Sequence, residues 1–197
     1  MTRDQRRAQL VEVSRRLFAE RGISVSVEEI AAAAGVTKPV VYEHFGGKEG
    51  LYAVVVKQEA ENLESVIRTA LTTPDVGYRA LIELGVYALL DYLDENPDGF
   101  RILNHESSAG EFTSILNKVT LNVTELLLEP LTKRGFEARL AAPMAQSLVG
   151  IVAMAAQIWV DDRSLTKDEL AAWLVNLAWN GLSRLEADPS LITRTRR

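Results

Sequence analysis

The sequence predicts an all-α protein in two parts, a short N-terminal group of three helices and a longer helical body. Three observations predict it. Apolar residues recur every three or four positions almost throughout, which is the spacing of one helix face. No segment sustains the period-2 alternation of a half-buried strand. Capping residues, glycines and prolines punctuate the chain at intervals that suit helices of about 8–20 residues.

Taken in order, the first helix runs from about Asp4 to Arg21, with Leu10, Val11, Leu17 and Phe18 on its apolar stripe and Gly22 closing it. Ser26-Val27-Glu28-Glu29 reads as a capping box that opens a short helix to about Ala34. Gly35 and Val36 break that helix. Thr37 caps the next one, Pro39 sits in its first turn where proline is tolerated, and Gly46-Gly47 stop it after Phe45. A long helix is expected from Lys48 to Leu71, broken by Thr72-Thr73-Pro74. Val76 to Glu95 follows, apolar nearly all round between Leu84 and Leu90, as befits the middle of a bundle. Asn96-Pro97 ends it. A short helix near Phe100–Asn104, a loop at Ser107-Ser108-Ala109-Gly110, and helices over Glu111–Arg134, Ala142–Val160 and Lys167–Glu186 complete the reading. The expected division is 1–47, 48–188 and a flexible tail at 189–197.

Composition narrows the function. The 197 residues are 47% hydrophobic and 25% charged, enough for a sizeable core. There is no cysteine, which excludes disulfides, thiolate metal sites and thiol nucleophiles. The opening MTRDQRRAQL lacks the apolar run of a secretory signal. Leu148–Val160, interrupted by Gln157, is too short for a bilayer. A cytoplasmic protein with no membrane partner is expected. Net charge is −5, yet residues 1–50 carry eight Lys/Arg against seven Asp/Glu, so the acidic excess lies further along. Catalysis finds no constellation. His44 and His105 are far apart in the chain with no metal-ligand spacing. Gly46-Gly47-Lys48 lacks the glycine spacing of a phosphate loop, and Asp94-Glu95 and Asp161-Asp162 read as solvated helix ends. No enzyme activity, metal or cofactor is expected.

The most informative stretch is SVEEIAAAAGVTKPVVYEHFGGK, residues 26 to 48. Two short helices joined by a glycine turn must pack closely at a steep angle. Ala31 supplies the small side chain at the approach, Gly35 the left-handed turn and Val41 the filling between the helices, with Ile30, Val36 and Phe45 completing a small core. The second helix then presents Thr37, Lys38, Val40, Tyr42, Glu43 and His44 outward, at a size that enters a major groove. Lys38 suits guanine O6 or N7, and Thr37 or Val40 a thymine methyl. Tyr42 and His44 suit phosphates, as do the free amides behind Lys48. Gly47 is a weak cap, and Gly50 costs roughly 0.5–1 kcal/mol inside the following helix. Both predict a soft junction.

GVTKPVVYEHFGGKEGLY resembles the signature of the TetR family of transcriptional regulators, and the resemblance covers roughly residues 5–52. It implies DNA contacts by Thr37, Lys38, Pro39, Tyr42, His44 and Lys48. With Val40 from the outward face, and Ser26, these are the DNA-contacting candidates. It also implies a homodimer that represses transcription from a palindromic double-stranded operator and lets go when a small-molecule effector binds. The stretches GFRILNHES and IWVDDRSLTKDELAAWLVNLAWNGL are similar to TetR-type regulators of lipid metabolism, which sense fatty acyl derivatives.

The last two helices are apolar on more than one side, more than one subunit easily covers. Val149, Val152, Ala156, Trp173, Leu174, Leu177 and Gly181 are the candidate dimer contacts, in an isologous interface. Candidate effector-lining residues are Tyr78, Tyr87, Tyr92, Phe100, Phe112, Leu116, Val119 and Val123, with Asn104, Asn122 and Gln157 as orienting polar groups. The rival reading is a helical protein-interaction module, which would show no salt-dependent affinity for DNA.

Overall fold

The computed structural model describes residues 1–105 and 108–186, and no strand occurs among them. Ser107, Glu106 and the expected tail at 189–197 lie outside the described residues. Nine α-helices follow one another in the described residues: α1 Arg3–Arg21, α2 Val27–Ala33, α3 Lys38–Phe45, α4 Lys48–Leu71, α5 Tyr78–Glu95, α6 Pro97–Asn104, α7 Ala109–Lys133, α8 Ala141–Asp161 and α9 Lys167–Ser183. Short 3₁₀ turns at Gly22–Ser24 and Ala138–Leu140 precede α2 and α8.

The caps explain where several helices begin. Thr2, Ser26 and Thr166 each accept the amide three residues on, and Gln5, Glu29 and Glu169 reach back to close a capping box. Thr37 departs from expectation. It holds the extended N-cap backbone, but its hydroxyl makes no capping bond, so Pro39 in the first turn starts α3 without side-chain help. α7 begins earlier than the Ser-Ser-Ala-Gly composition suggests, because Ala109 and Gly110 are already helical. Pro130 also lies inside α7, near its end, where the missing N–H leaves only one carbonyl, that of Leu126, without its helical donor. α9 ends at Ser183, short of Glu186. The Arg134 guanidinium donates to the carbonyls of Leu182 (2.8 Å), Ser183 (3.1 Å) and Leu185 (3.4 Å), gathering oxygens that a helix end leaves orphaned.

The chain forms two compact units. The first joins Met1–Thr69 to Ala88–Lys118, so the second half of α5, α6 and the start of α7 belong with the N-terminal helices. In it α6 packs along α1, Phe18 meets the Tyr52 ring edge-on at 4.9 Å, and the Tyr52 and Ser108 hydroxyls share a buried hydrogen bond of 2.6 Å. The second joins Ala70–Tyr87 to the residues from Val119 onward. There Leu131, Phe136 and Ala141 form a buried cluster covered by Leu127, Leu140, Met144 and Leu185. Trp159 donates its indole N–H to the Leu165 carbonyl at 2.8 Å, turning the chain from α8 towards α9. The apolar stretch read as Leu148–Val160 is longer in the structure. Residues Ala138–Asp161 are the one helical stretch, among those described, long and apolar enough by composition to cross a bilayer.

Candidate nucleic-acid interface

Residues 26–48 fold as a pair of short helices joined by a tight turn. Ser26 Oγ accepts from the Glu29 amide at 3.2 Å, and Glu29 Oε2 accepts from the Ser26 amide at 2.9 Å and from its hydroxyl at 2.8 Å. Arg21 donates to the other Glu29 oxygen at 2.8 Å. The Ser26 backbone amide leads these donors in pulling the Glu29 carboxyl down to about 2. At the turn Gly35 takes φ +63°, and Val36 N–H reaches back to the Ala31 carbonyl at 2.9 Å. Ile30 and Val41 are fully buried between the helices, and Ala31 nearly so. Gly46 ends α3 in the left-handed conformation, with its amide on the Tyr42 carbonyl at 2.8 Å.

Two contacts from α1 complete the frame. Arg7 donates to the His44 carbonyl at 2.8 Å, with its guanidinium 4.4 Å above the centre of the Phe45 ring, and Gln9 donates to the Ala34 carbonyl at 3.3 Å. The junction after α3 is tight. A Cβ on Gly50 would overlap the Phe45 carbonyl oxygen, so the glycine lets α4 start directly against the end of α3. The softness expected of Gly50 is thereby corrected: its missing side chain is what permits the contact.

With its inner side sealed, α3 leaves Thr37, Lys38, Pro39, Tyr42 and Glu43 exposed, and Val40 and His44 half-buried. Tyr42 has 55% of its surface free. Two candidates have other duties in this structure. Ser26 is occupied by its capping box. Lys48 directs its ammonium to the Ile23 carbonyl at 3.0 Å, tying the start of α4 to the turn before α2. Arg7 and Gln9 escaped the sequence reading, because helical periodicity carries no signal for contacts made to a distant backbone. Glu28 escaped it too: on α2, it forms an ion pair with Lys38 at the start of α3.

The family model for bacterial regulatory proteins of the tetR family matches residues 10–55, and that for the tetracyclin repressor-like C-terminal domain matches residues 79–181. The HTH-type transcriptional activator FasR of Mycolicibacterium smegmatis is 33% identical over 191 residues, covering 94% of this chain and 86% of FasR. The chain belongs to the TetR family. A TetR-like regulator from Rhodococcus sp. RHA1 shares the fold with a TM-score of 0.76 at 24% identity, covering 94% of this chain and 100% of that one. The fatty acid degradation regulator FadR of Bacillus halodurans does so at 0.69 and 20% identity, covering 87% and 93%. TetR regulators bind DNA operators, typically as dimers that respond to small molecules.

The TetR-type body distributes the candidate effector residues over both compact units. Tyr92, Phe100, Asn104, Phe112 and Leu116 fall in the first, and Tyr78, Tyr87, Val119, Asn122, Val123 and Gln157 in the second. Phe100 is buried and meets Phe112 edge-on at 6.2 Å, with Leu116 half-buried one turn along α7. Asn104 and Tyr78 are exposed, Val119 is buried, and Asn122, Val123 and Gln157 are half-buried. Tyr87 donates to Asp168 at 3.0 Å. Tyr92 is buried in a structural network: its hydroxyl donates to Glu59 Oε2 at 3.0 Å, while Arg15 Nε holds Glu59 Oε1 at 2.5 Å. Burial and the Glu59 carboxylate push the Tyr92 phenol well above its ordinary range. Gly99 on α6 lies against the same carboxylate, so α1, α4, α5 and α6 meet at Glu59.

Of the candidate dimer contacts, Trp173, Leu177 and Gly181 are exposed on α9. Val149, Ala156 and Leu174 are buried within the subunit, and Val152 is half-buried, which leaves them little surface for a partner. The exposed apolar stripe of α8 is instead Ile151, Met154 and Ile158.

Proposed function

We propose that this TetR regulator binds a palindromic operator as a homodimer through α3, and that an apolar effector of the fatty acyl type makes it let go. The observation that carries the reading is the division of α3 into a sealed inner side at Val41 and an open side at Thr37, Lys38, Pro39 and Tyr42. Residues 1–47 do the reading. In a complex of this kind Lys38 reads a guanine edge, while Tyr42 and His44 position the helix on phosphates. Half-sites about 34–36 Å apart require two readers, which a two-fold dimer supplies. The stripe Ile151, Met154, Ile158 on α8 and Trp173, Leu177 on α9 is the surface assigned to the partner copy.

The effector is assigned to the apolar side chains around Phe100, Phe112 and Leu116. Their character suits an acyl chain, and the Bacillus halodurans neighbour is named for fatty acid degradation. Phe100 sits on α6, α6 packs along α1, and α1 holds the end of α3 through Arg7. A ligand that displaces Phe100 therefore moves the brace of the reading helix. A coupling of about 1–3 kcal/mol changes operator affinity roughly 5–150-fold. Release is the proposed step; whether it raises or lowers transcription follows from where the operator lies relative to the promoter.

The test is selection of bound duplexes from random sequence by the purified protein, followed by mobility shifts over a salt series with and without palmitoyl-CoA. The expected result is an inverted repeat, affinity that falls steeply with salt, and release by the acyl probe. Failure to enrich any duplex would remove the DNA reading and leave the interaction-module alternative. Enrichment without an acyl response would remove only the effector class.

A further inference from the structure

We infer that Glu28, on α2 and outside the reading face of α3, sets how sharply the protein separates its operator from other DNA, by holding the ammonium of Lys38. The inference rests on the reading of α3 as the DNA-contacting helix.

Lys38 is the first residue of α3, the end of such a helix that reaches base edges. Its ammonium is ion-paired with the Glu28 carboxylate, and both side chains are more than half exposed at 53% and 57%. Glu28 adds negative charge to the first turn of α2 but is not the residue that caps it. The capping carboxylate of α2 is Glu29, and Arg21 pairs with Glu29. Lys38 is the leading group that holds the Glu28 carboxyl below the ordinary carboxylate range. A carboxylate thus stands on the surface that must approach a polyanion, in a region whose charges nearly balance, eight Lys/Arg against seven Asp/Glu in residues 1–50.

The two kinds of complex feel this carboxylate differently. Non-specific binding draws its affinity from cations that replace counterions on phosphates. A lysine already neutralised by Glu28 contributes little to that exchange, and the carboxylate repels the phosphates. In the specific complex Lys38 uses a different resource. An ammonium has three donors. One stays on Glu28, and two remain for guanine N7 and O6, now held in place rather than swinging on a flexible stem. Glu28 therefore suppresses binding to arbitrary DNA more than binding to the operator, and it acts on specificity without touching a base.

The experiment compares the full-length protein with E28Q on the duplex enriched by selection and on a scrambled duplex of equal length. Fluorescence anisotropy is read over a salt series, with circular dichroism to verify the fold. E28Q should bind the scrambled duplex about 2–5-fold more tightly, the scale of one exposed ion pair. Its log K against log salt should steepen by about 0.9, one additional phosphate contact. The operator should gain less, so the ratio of the two affinities falls. Equal gains on both duplexes, or no gain on either, overturn the inference. So does an E28Q effect that is undiminished in a K38M background, because the pair would then be irrelevant; with Lys38 gone only the smaller repulsion between the carboxylate and phosphates should remain. Should E28Q disturb α2, E28A read in the same way decides. A wild-type protein that binds neither duplex takes down the α3 reading and this inference together, whereas a wild-type protein that discriminates leaves E28Q to judge the inference alone.

Discussion

Among the described residues of the first compact unit Glu59 is the most enclosed carboxylate, and Arg15 and Tyr92 take up its two oxygens. A buried group of this kind is expensive to orphan, because its partner cannot return to water. Arg15→Ala should therefore cost about 3–5 kcal/mol in urea unfolding, far more than an exposed pair such as Lys57–Glu61. Replacing both partners by Met should recover most of the loss, since neither charge is then stranded. Gly50 makes a second single-residue test. Glycine to alanine inside a helix ordinarily stabilises by roughly 0.5–1 kcal/mol. Here the added methyl would overlap the Phe45 carbonyl, so Gly50→Ala should lower the melting temperature and weaken DNA binding. A rise in melting temperature would show that α4 does not start against α3 as described.

At the scale of the element, α2 depends on a carboxylate whose affinity for protons is depressed. Glu29 titrates at about 2 when folded and near 4.5 otherwise. Its contribution to stability is therefore complete above pH 4.5 and disappears as pH falls from there towards 2. Acid unfolding of Glu29→Gln should lack this component, and following the carboxyl shift of Glu29 by NMR locates the midpoint. Elements were the most legible level of the sequence. The sequence predicts α4 over Lys48–Leu71 and it folds over those residues, because a periodic face between Gly47 and Thr72-Thr73-Pro74 leaves few alternatives. The Ala31, Gly35 and Val41 offsets were legible for a similar reason: sterics at a close crossing admit few residue types. The start of α7 was not legible. Ser108 looks like a loop residue until Tyr52, 56 positions away, supplies its hydroxyl with a buried partner. The duties of Arg7 and Lys48 were hidden likewise, since both reach backbone carbonyls brought near only by folding. On α8 the apolar pattern is so broad that periodicity could not say which apolar side faces outward, and the exposed stripe lies at Ile151, Met154 and Ile158 rather than at Val149, Val152 and Ala156.

For the whole molecule the decisive question is what covers Trp173 and Leu177, which are 67% and 57% exposed in the single chain. Large apolar side chains this open in a stripe mark an interaction surface. Both point away from the subunit core, so changing them should leave the fold intact. Trp173→Glu with Leu177→Glu should shift sedimentation from dimer to monomer and abolish tight operator binding, while the circular dichroism stays helical. A dimer that persists would place the two-fold axis elsewhere. Arg7 carries one more consequence. It grips the far end of α3 by a main-chain oxygen and by the face of Phe45, not by the outward side chains of Thr37, Lys38 and Tyr42. On the proposed reading of α3, foundation and lettering are separate sets of atoms. If α3 reads DNA as proposed, Thr37 and Lys38 are the positions to exchange for a new target, and substitutions there should change the duplex enriched by selection while the melting temperature stays the same.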